Sequence, residues 1–172
     1  MLWKQKIKTK EPENLEQAYE YAMFLLSLHL RTEGEVREKL RIKNYKLGIT
    51  EAVIQRLKDN RYVDDQRYAE VFLENLKQYK NFGFYGIKKK FMEKKLPMGI
   101  IETVLAEGLP VEEEIKIAKR FLSKEGIIAK SKTDEESRYQ TFDAEESKAK
   151  QKLANRLKAR GFRSEVVARL VF

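Results

Sequence analysis

Three short segments recur in the same order three times along this chain of 172 residues. The first reads Tyr21-Ala22-Met23-Phe24-Leu25-Leu26, then Tyr68-Ala69-Glu70-Val71-Phe72-Leu73, then Ile117-Ala118-Lys119-Arg120-Phe121-Leu122. Each holds an apolar residue, Ala, two variable positions, a large apolar residue and Leu. Downstream of each lies an i, i+4 apolar pair: Val36/Leu40, Ile87/Phe91 and Leu153/Leu157. A third segment follows, Val53-Ile54-x-x-Leu57, matched to Ile100-Ile101-x-x-Val104 and Val166-Val167-x-x-Leu170. All three segments carry helical spacing, and none shows the alternation of a strand. The chain is therefore expected to be all-α: three tandem three-helix repeats stacked into an elongated, curved array, because one such unit cannot bury its apolar face alone.

The spacings set the domain boundaries. Residues 1–14 read as a flexible basic arm, 15–60 as repeat 1, 61–108 as repeat 2 and 109–172 as repeat 3. Leu40 to Val53 is thirteen residues, against nine from Phe91 to Ile100 and from Leu157 to Val166. About one extra helical turn is therefore assigned to Arg41–Gly48. Ala118 to Leu153 is thirty-five residues, against fourteen and eighteen in the other copies, so repeat 3 holds an insertion at about 123–147.

Composition narrows the function. The net charge is +9, with 37% charged residues, which favours a polyanionic partner or an acidic protein surface. There is no Cys and a single His, so thiolate chemistry and His/Cys metal sites are excluded by count. His29 lies among leucines and lacks the partner that general-base catalysis needs. No apolar run approaches the length of a membrane span, and no signal-peptide core follows Met1, which points to a cytoplasmic protein. No enzyme activity, cofactor or metal is expected.

Most other polar motifs read as helix punctuation. Thr32 with Glu35 forms a capping box, and Thr50 is placed to cap the third helix. Asp64 and Asp65 fit helix capping better than acid/base or metal chemistry, and Glu112–Glu114 suit a first helical turn. Phe82-Gly83-Phe84-Tyr85-Gly86 breaks the chain between helices, too poor in glycine for a phosphate cradle. Asp143 with Glu146 supplies a further cap. Trp3, the one large anchor of the arm, is expected to dock on repeat 1.

The candidate binding residues are basic. Counted from the first apolar residue of each middle helix, positions +3 and +7 are Lys39 and Lys43, Lys90 and Lys94, Arg156 and Arg160. Residues four apart share a helix face, so each copy offers a two-charge patch. The competing reading is a solvated face whose last-turn cations complement the helix dipole.

Three motifs in order resemble the RecX family of regulators of the bacterial recombinase RecA. Tyr62-Val63-Asp64-Asp65-Gln66-Arg67-Tyr68-Ala69 is similar to the family's Leu/Tyr-x-Asp-Asp-x-Arg-Phe/Tyr-Ala segment. Arg31–Leu40 resembles its Arg-Ser-x-x-Glu-Leu-x-x-Lys-Leu segment, with Thr32 for the usual Ser, and Arg160-Gly161-Phe162 its Arg-Gly-Phe turn. The resemblance, over about 15–172, implies a monomer lying in the groove of the RecA–single-stranded DNA filament. There it would block strand exchange, co-protease activity or filament growth. Single-stranded DNA would be met directly or through RecA. The alternative is an independent basic helical-repeat module that binds nucleic acid without RecA, which a steep salt dependence on DNA alone would reveal.

The repeated Ala supplies a test. Ala69→Leu is expected to overpack a helix junction and cost about 1–3 kcal/mol in urea unfolding.

Overall fold

The computed structural model describes residues 14–124 and 142–171, with side chains from 147 onward in the second stretch. The arm through residue 13 with Trp3, most of the insertion and Phe172 lie outside the described residues. Within them every regular element is a helix. These are α1 (Leu15–Leu28), α2 (Glu33–Ile42), α3 (Leu47–Asp59), α4 (Asp65–Tyr79), α5 (Phe84–Glu93), α6 (Met98–Gly108), α7 (Val111–Lys124), α8 (Phe142–Ala159) and α9 (Ser164–Val171). The chain divides into two compact units, Met1–Tyr68 and Ala69–Phe172, with the boundary inside the first turn of α4.

In the first unit α1, α2 and α3 pack on one another around Ala22, Val36, Leu40, Val53, Ile54 and Leu57. In the second, α5 packs on α6, and α9 on both α7 and α8. Its core includes Phe91, Ile117, Leu157 and Val166. Ala22, Ala69 and Ala118 are all fully buried, as helices in close approach require.

The structure corrects the register of the third segment. Lys43–Lys46 and Lys94–Pro97 are turns of equal length, so Arg41–Gly48 holds no extra helical turn. Ile49-Thr50-x-x-Val53 is the true counterpart of Ile100-Ile101-x-x-Val104. Thr50 does not cap α3. It sits inside the helix, 2% exposed, with its N–H bonded to Lys46 O, and its hydroxyl hid an apolar slot. The additional residues of repeat 1 extend the far end of α3, which runs to Asp59. Asp143 and Glu146 likewise lie within α8 rather than ahead of it. The run Ala144–Lys150 is made mostly of strong helix formers, so the helix propagates upstream of the position where α2 and α5 begin.

Each middle helix ends in the same turn. Asn44, Lys95 and Gly161 adopt positive φ of 62°, 56° and 80°. The next residue's N–H returns to the carbonyl five back: Tyr45 to Leu40, Leu96 to Phe91, Phe162 to Leu157. This is the Schellman arrangement, which satisfies carbonyls that a helix end otherwise leaves bare.

The helix starts are closed by the following repeat. Four residues before Ala69 stands Asp65, whose Oδ1 accepts from the first amide of α2, Glu33 N, at 2.8 Å. Four residues before Ala118 stands Glu114, fully buried, whose Oε1 accepts from the first amide of α5, Phe84 N, at 2.9 Å. Glu114 Oε1 also takes Arg163 N at 2.9 Å, and its Oε2 pairs with the Arg163 guanidinium. The glycines of the 82–86 segment let backbone meet backbone. Gly83 N donates to Arg160 O at 3.1 Å and Tyr85 N to Gly161 O at 2.8 Å. A Cβ on Gly161 would lie 2.2 Å from Gly86 N, so its glycine answers to contact as well as to φ.

Glu114→Ala removes the carboxylate partner of the half-buried Arg163 guanidinium and the acceptor of two amides at once. The expected loss is about 3–5 kcal/mol in chemical unfolding of the second unit. Glu114→Gln, which keeps the acceptor for Phe84 N, is expected to lose less.

Candidate partner interface

The six repeated basic residues stand at equivalent places, the C-terminal ends of the middle helices. Lys43 and Lys94 are the C-cap residues of α2 and α5, and Arg160 follows the last residue of α8. Lys39, Lys90 and Arg156 lie one turn earlier, in the last helical turn. Their charge therefore meets the negative end of each helix dipole, which accounts for part of their recurrence.

Side-chain geometry separates them. In the first unit Lys39 and Lys43 are exposed, with Lys43 Nζ 5.4 Å from the Tyr21 ring centroid. In the second unit Lys90 Nζ and Arg160 Cζ each lie 5.9 Å from the centroid of Phe82. Arg160 also sits 5.1 Å from that of Phe121, and Lys90 pairs with Glu93 at 2.7 Å. One ring thus collects a cation from repeat 2 and another from repeat 3, holding both by its quadrupole. Lys94 is half-buried and Arg156 is exposed. Other cations serve the fold: Arg37 makes two bonds to Glu51, and Arg56 two to Glu16 while lying 3.8 Å over Tyr19. The Arg37 bond holds the Glu51 carboxyl below its ordinary range.

Phe82 was visible in the sequence only as part of a chain break. Its sole signal was an aromatic residue directly before the helix-opening Gly83.

The paired aspartates have separate tasks. Asp64 Oδ1 accepts from Arg67 N at 2.9 Å and caps its own helix, as its position implies. Asp65 turns to α2 instead and is 4% exposed, with its Oδ2 lacking a hydrogen-bond partner. Burial is the main cause that pushes its carboxyl above the ordinary range, and nearby Glu33 adds to it. The Glu33 amide, Lys58 and Arg37 pull the other way. Among the described residues no group of three His, Cys, Asp or Glu is placed to hold a metal, and no helix is long and apolar enough to cross a membrane.

These features define a class: a basic, all-helical protein of tandem three-helix repeats, the first two closed by a carboxylate from the repeat that follows. A family model described as "RecX, first three-helix domain" matches residues 18–57. The chain is 28% identical over 155 residues to "Regulatory protein RecX" of Halalkalibacterium halodurans, covering 90% of this chain and 53% of that protein. The protein of that name from Trichlorobacter lovleyi is 27% identical, with 88% and 92% covered. The crystal structure of RecX from Lactobacillus salivarius superposes with a TM-score of 0.75 at 20% identity, over 91% of this chain and 94% of that one. The chain belongs to the RecX family. It spans about half the length of the first curated relatives it matches.

Asp65 gives a pH test. A carboxyl whose pKa is raised on folding binds more protons folded than unfolded, so its contribution weakens as pH climbs from about 4 through the raised value. Asp65→Asn cannot titrate. Wild-type minus variant stability, from urea unfolding at a series of pH values, is therefore expected to fall with rising pH across that window.

Proposed function

We propose that this chain regulates RecA by binding the RecA–single-stranded DNA filament through the basic ends of its middle helices. Occupying the filament would obstruct strand exchange, co-protease activity or filament growth. The observation that carries the reading is the equivalence of Lys39, Lys90 and Arg156, and of Lys43, Lys94 and Arg160, on helices that finish in one shared turn. Family membership supports it, since the relatives carry the name of a regulatory protein. A net charge of +9 suits acidic protein surfaces and the phosphates beside them.

The test compares binding to preformed RecA–DNA filaments with binding to RecA alone and to single-stranded DNA alone. The variant is Lys39→Glu, Lys94→Glu, Arg156→Glu, which spares the two cations seated on Phe82. Circular dichroism should be nearly unchanged, because exposed substitutions usually alter stability by less than about 0.5 kcal/mol. Reversing the charge at half-buried Lys94 against the helix dipole adds about 0.3–1 kcal/mol. Filament affinity is expected to fall about tenfold or more, with a shallower salt dependence and weaker inhibition of strand exchange. A folded variant that inhibits at wild-type concentrations overturns the assignment of these residues. Equal binding to DNA without RecA, with a steep salt slope, favours the independent nucleic-acid module instead.

A further inference from the structure

The outer face of α1 carries an apolar stripe that its counterparts in the other repeats lack. Phe24 is 58% exposed and Leu28 60%, one turn apart, and half-buried Tyr21 precedes them on the same side. Leu30, just past the helix, is 71% exposed. Lys43 lies against Tyr21 at the rim, Glu20 marks the other end, and Arg31 follows with its Nε on Leu25 O. Large side chains exposed side by side, rimmed by charge, mark an interaction surface rather than ordinary scatter.

Repeat equivalence says what kind of object this face accepts. The residue two after the repeated Ala is Phe24 in α1, Val71 in α4 and Arg120 in α7. Arg120 donates to the Lys77 and Lys80 carbonyls and to Asn81 Oδ1, at the C-terminal end of α4. In the second unit, then, this face of a first helix receives another helix. In α1 the same face is apolar and open to solvent.

We propose that the Tyr21–Phe24–Leu28 stripe docks one amphipathic helix of the regulated protein, with carboxylates beside its apolar residues. This inference rests on the RecA reading above and names the chemistry of one of its contacts. Charge selects the occupant. Lys43 and Arg31 favour an acidic neighbour, whereas a second copy brings another net +9, and residues 1–13 of the arm bring four lysines against two glutamates. Aromatic and leucine side chains at the centre with cations at the rim form the arrangement in which binding energy concentrates.

The experiment measures binding of wild type, Phe24→Ser/Leu28→Ser and the triple charge variant to RecA–DNA filaments at low and high salt. Thermal unfolding checks that the double variant is folded. The expected result is a loss of about tenfold or more in the double variant that persists at high salt, where the deficit of the charge variant shrinks. Unchanged affinity of the folded double variant, beside normal wild-type binding, overturns this inference alone. Absence of wild-type binding overturns it together with the RecA reading. A wild-type dimer that the double substitution dissociates assigns the stripe to a second copy. A loss of affinity seen only when residues 1–13 are present assigns it to the arm. Either outcome overturns the proposal.

Discussion

A helix that starts against protein instead of water presents amide donors that some other group must accept. Here the acceptor comes from the repeat that follows. Asp65 reaches the first amide of α2, and Glu114 the first amide of α5, each from the position four before the repeated Ala. In α1 that position is Ala18, fully buried and without a polar group. The carboxylate thus joins one repeat to the previous one, and the orientation of the middle helix depends on it. The middle helices in turn carry the repeated basic residues, so the placement of those on α2 and α5 depends on the buried acids.

The two joints are built differently around that shared acid. At the start of α2, Thr32 contributes its hydroxyl to Glu35 N, and Glu35 returns its carboxylate to Thr32 N. At the start of α5 the corresponding residue is Gly83, which has no side chain to offer. The space is filled by the backbone of Phe162, and the amides go to Arg160 O, Glu114 and Gly161 O. The Arg160-Gly161-Phe162 motif is therefore a structural key. It supplies two carbonyls, a turn of positive φ and a ring that stacks on Phe121 at 6.4 Å.

Much of this was legible in the sequence because helical periodicity and small buried residues leave a direct trace. The three alanines, the apolar pairs of the middle helices, the Thr32 box and the basic positions could all be read from spacing. What escaped was whatever polar chemistry had turned inward. Thr50 occupies a core slot while looking like a cap, and it displaced the alignment of α3 by one turn. Glu114 stands in a run of three glutamates that suits an exposed first turn, and its partners Phe84 and Arg163 are thirty and forty-nine residues away. Single-sequence periodicity carries no information about such pairings. Phe24 stands at a variable position of the repeated segment and Leu28 lies beyond it, and only the structure shows both facing solvent.

The backbone joint between residues 83–86 and 160–162 also sets an order of assembly. The first amide of α2 finds its acceptor, Asp65, within the first 68 residues, so that joint can close once they have left the ribosome. The start of α5 is in a different situation. Among the described residues its first amides find their acceptors in residues 114, 160 and 161, so closing them requires a loop of roughly eighty residues to be drawn together. On the ribosome, repeat 2 emerges with a helix end that stays open to water until almost the whole of repeat 3 has followed it.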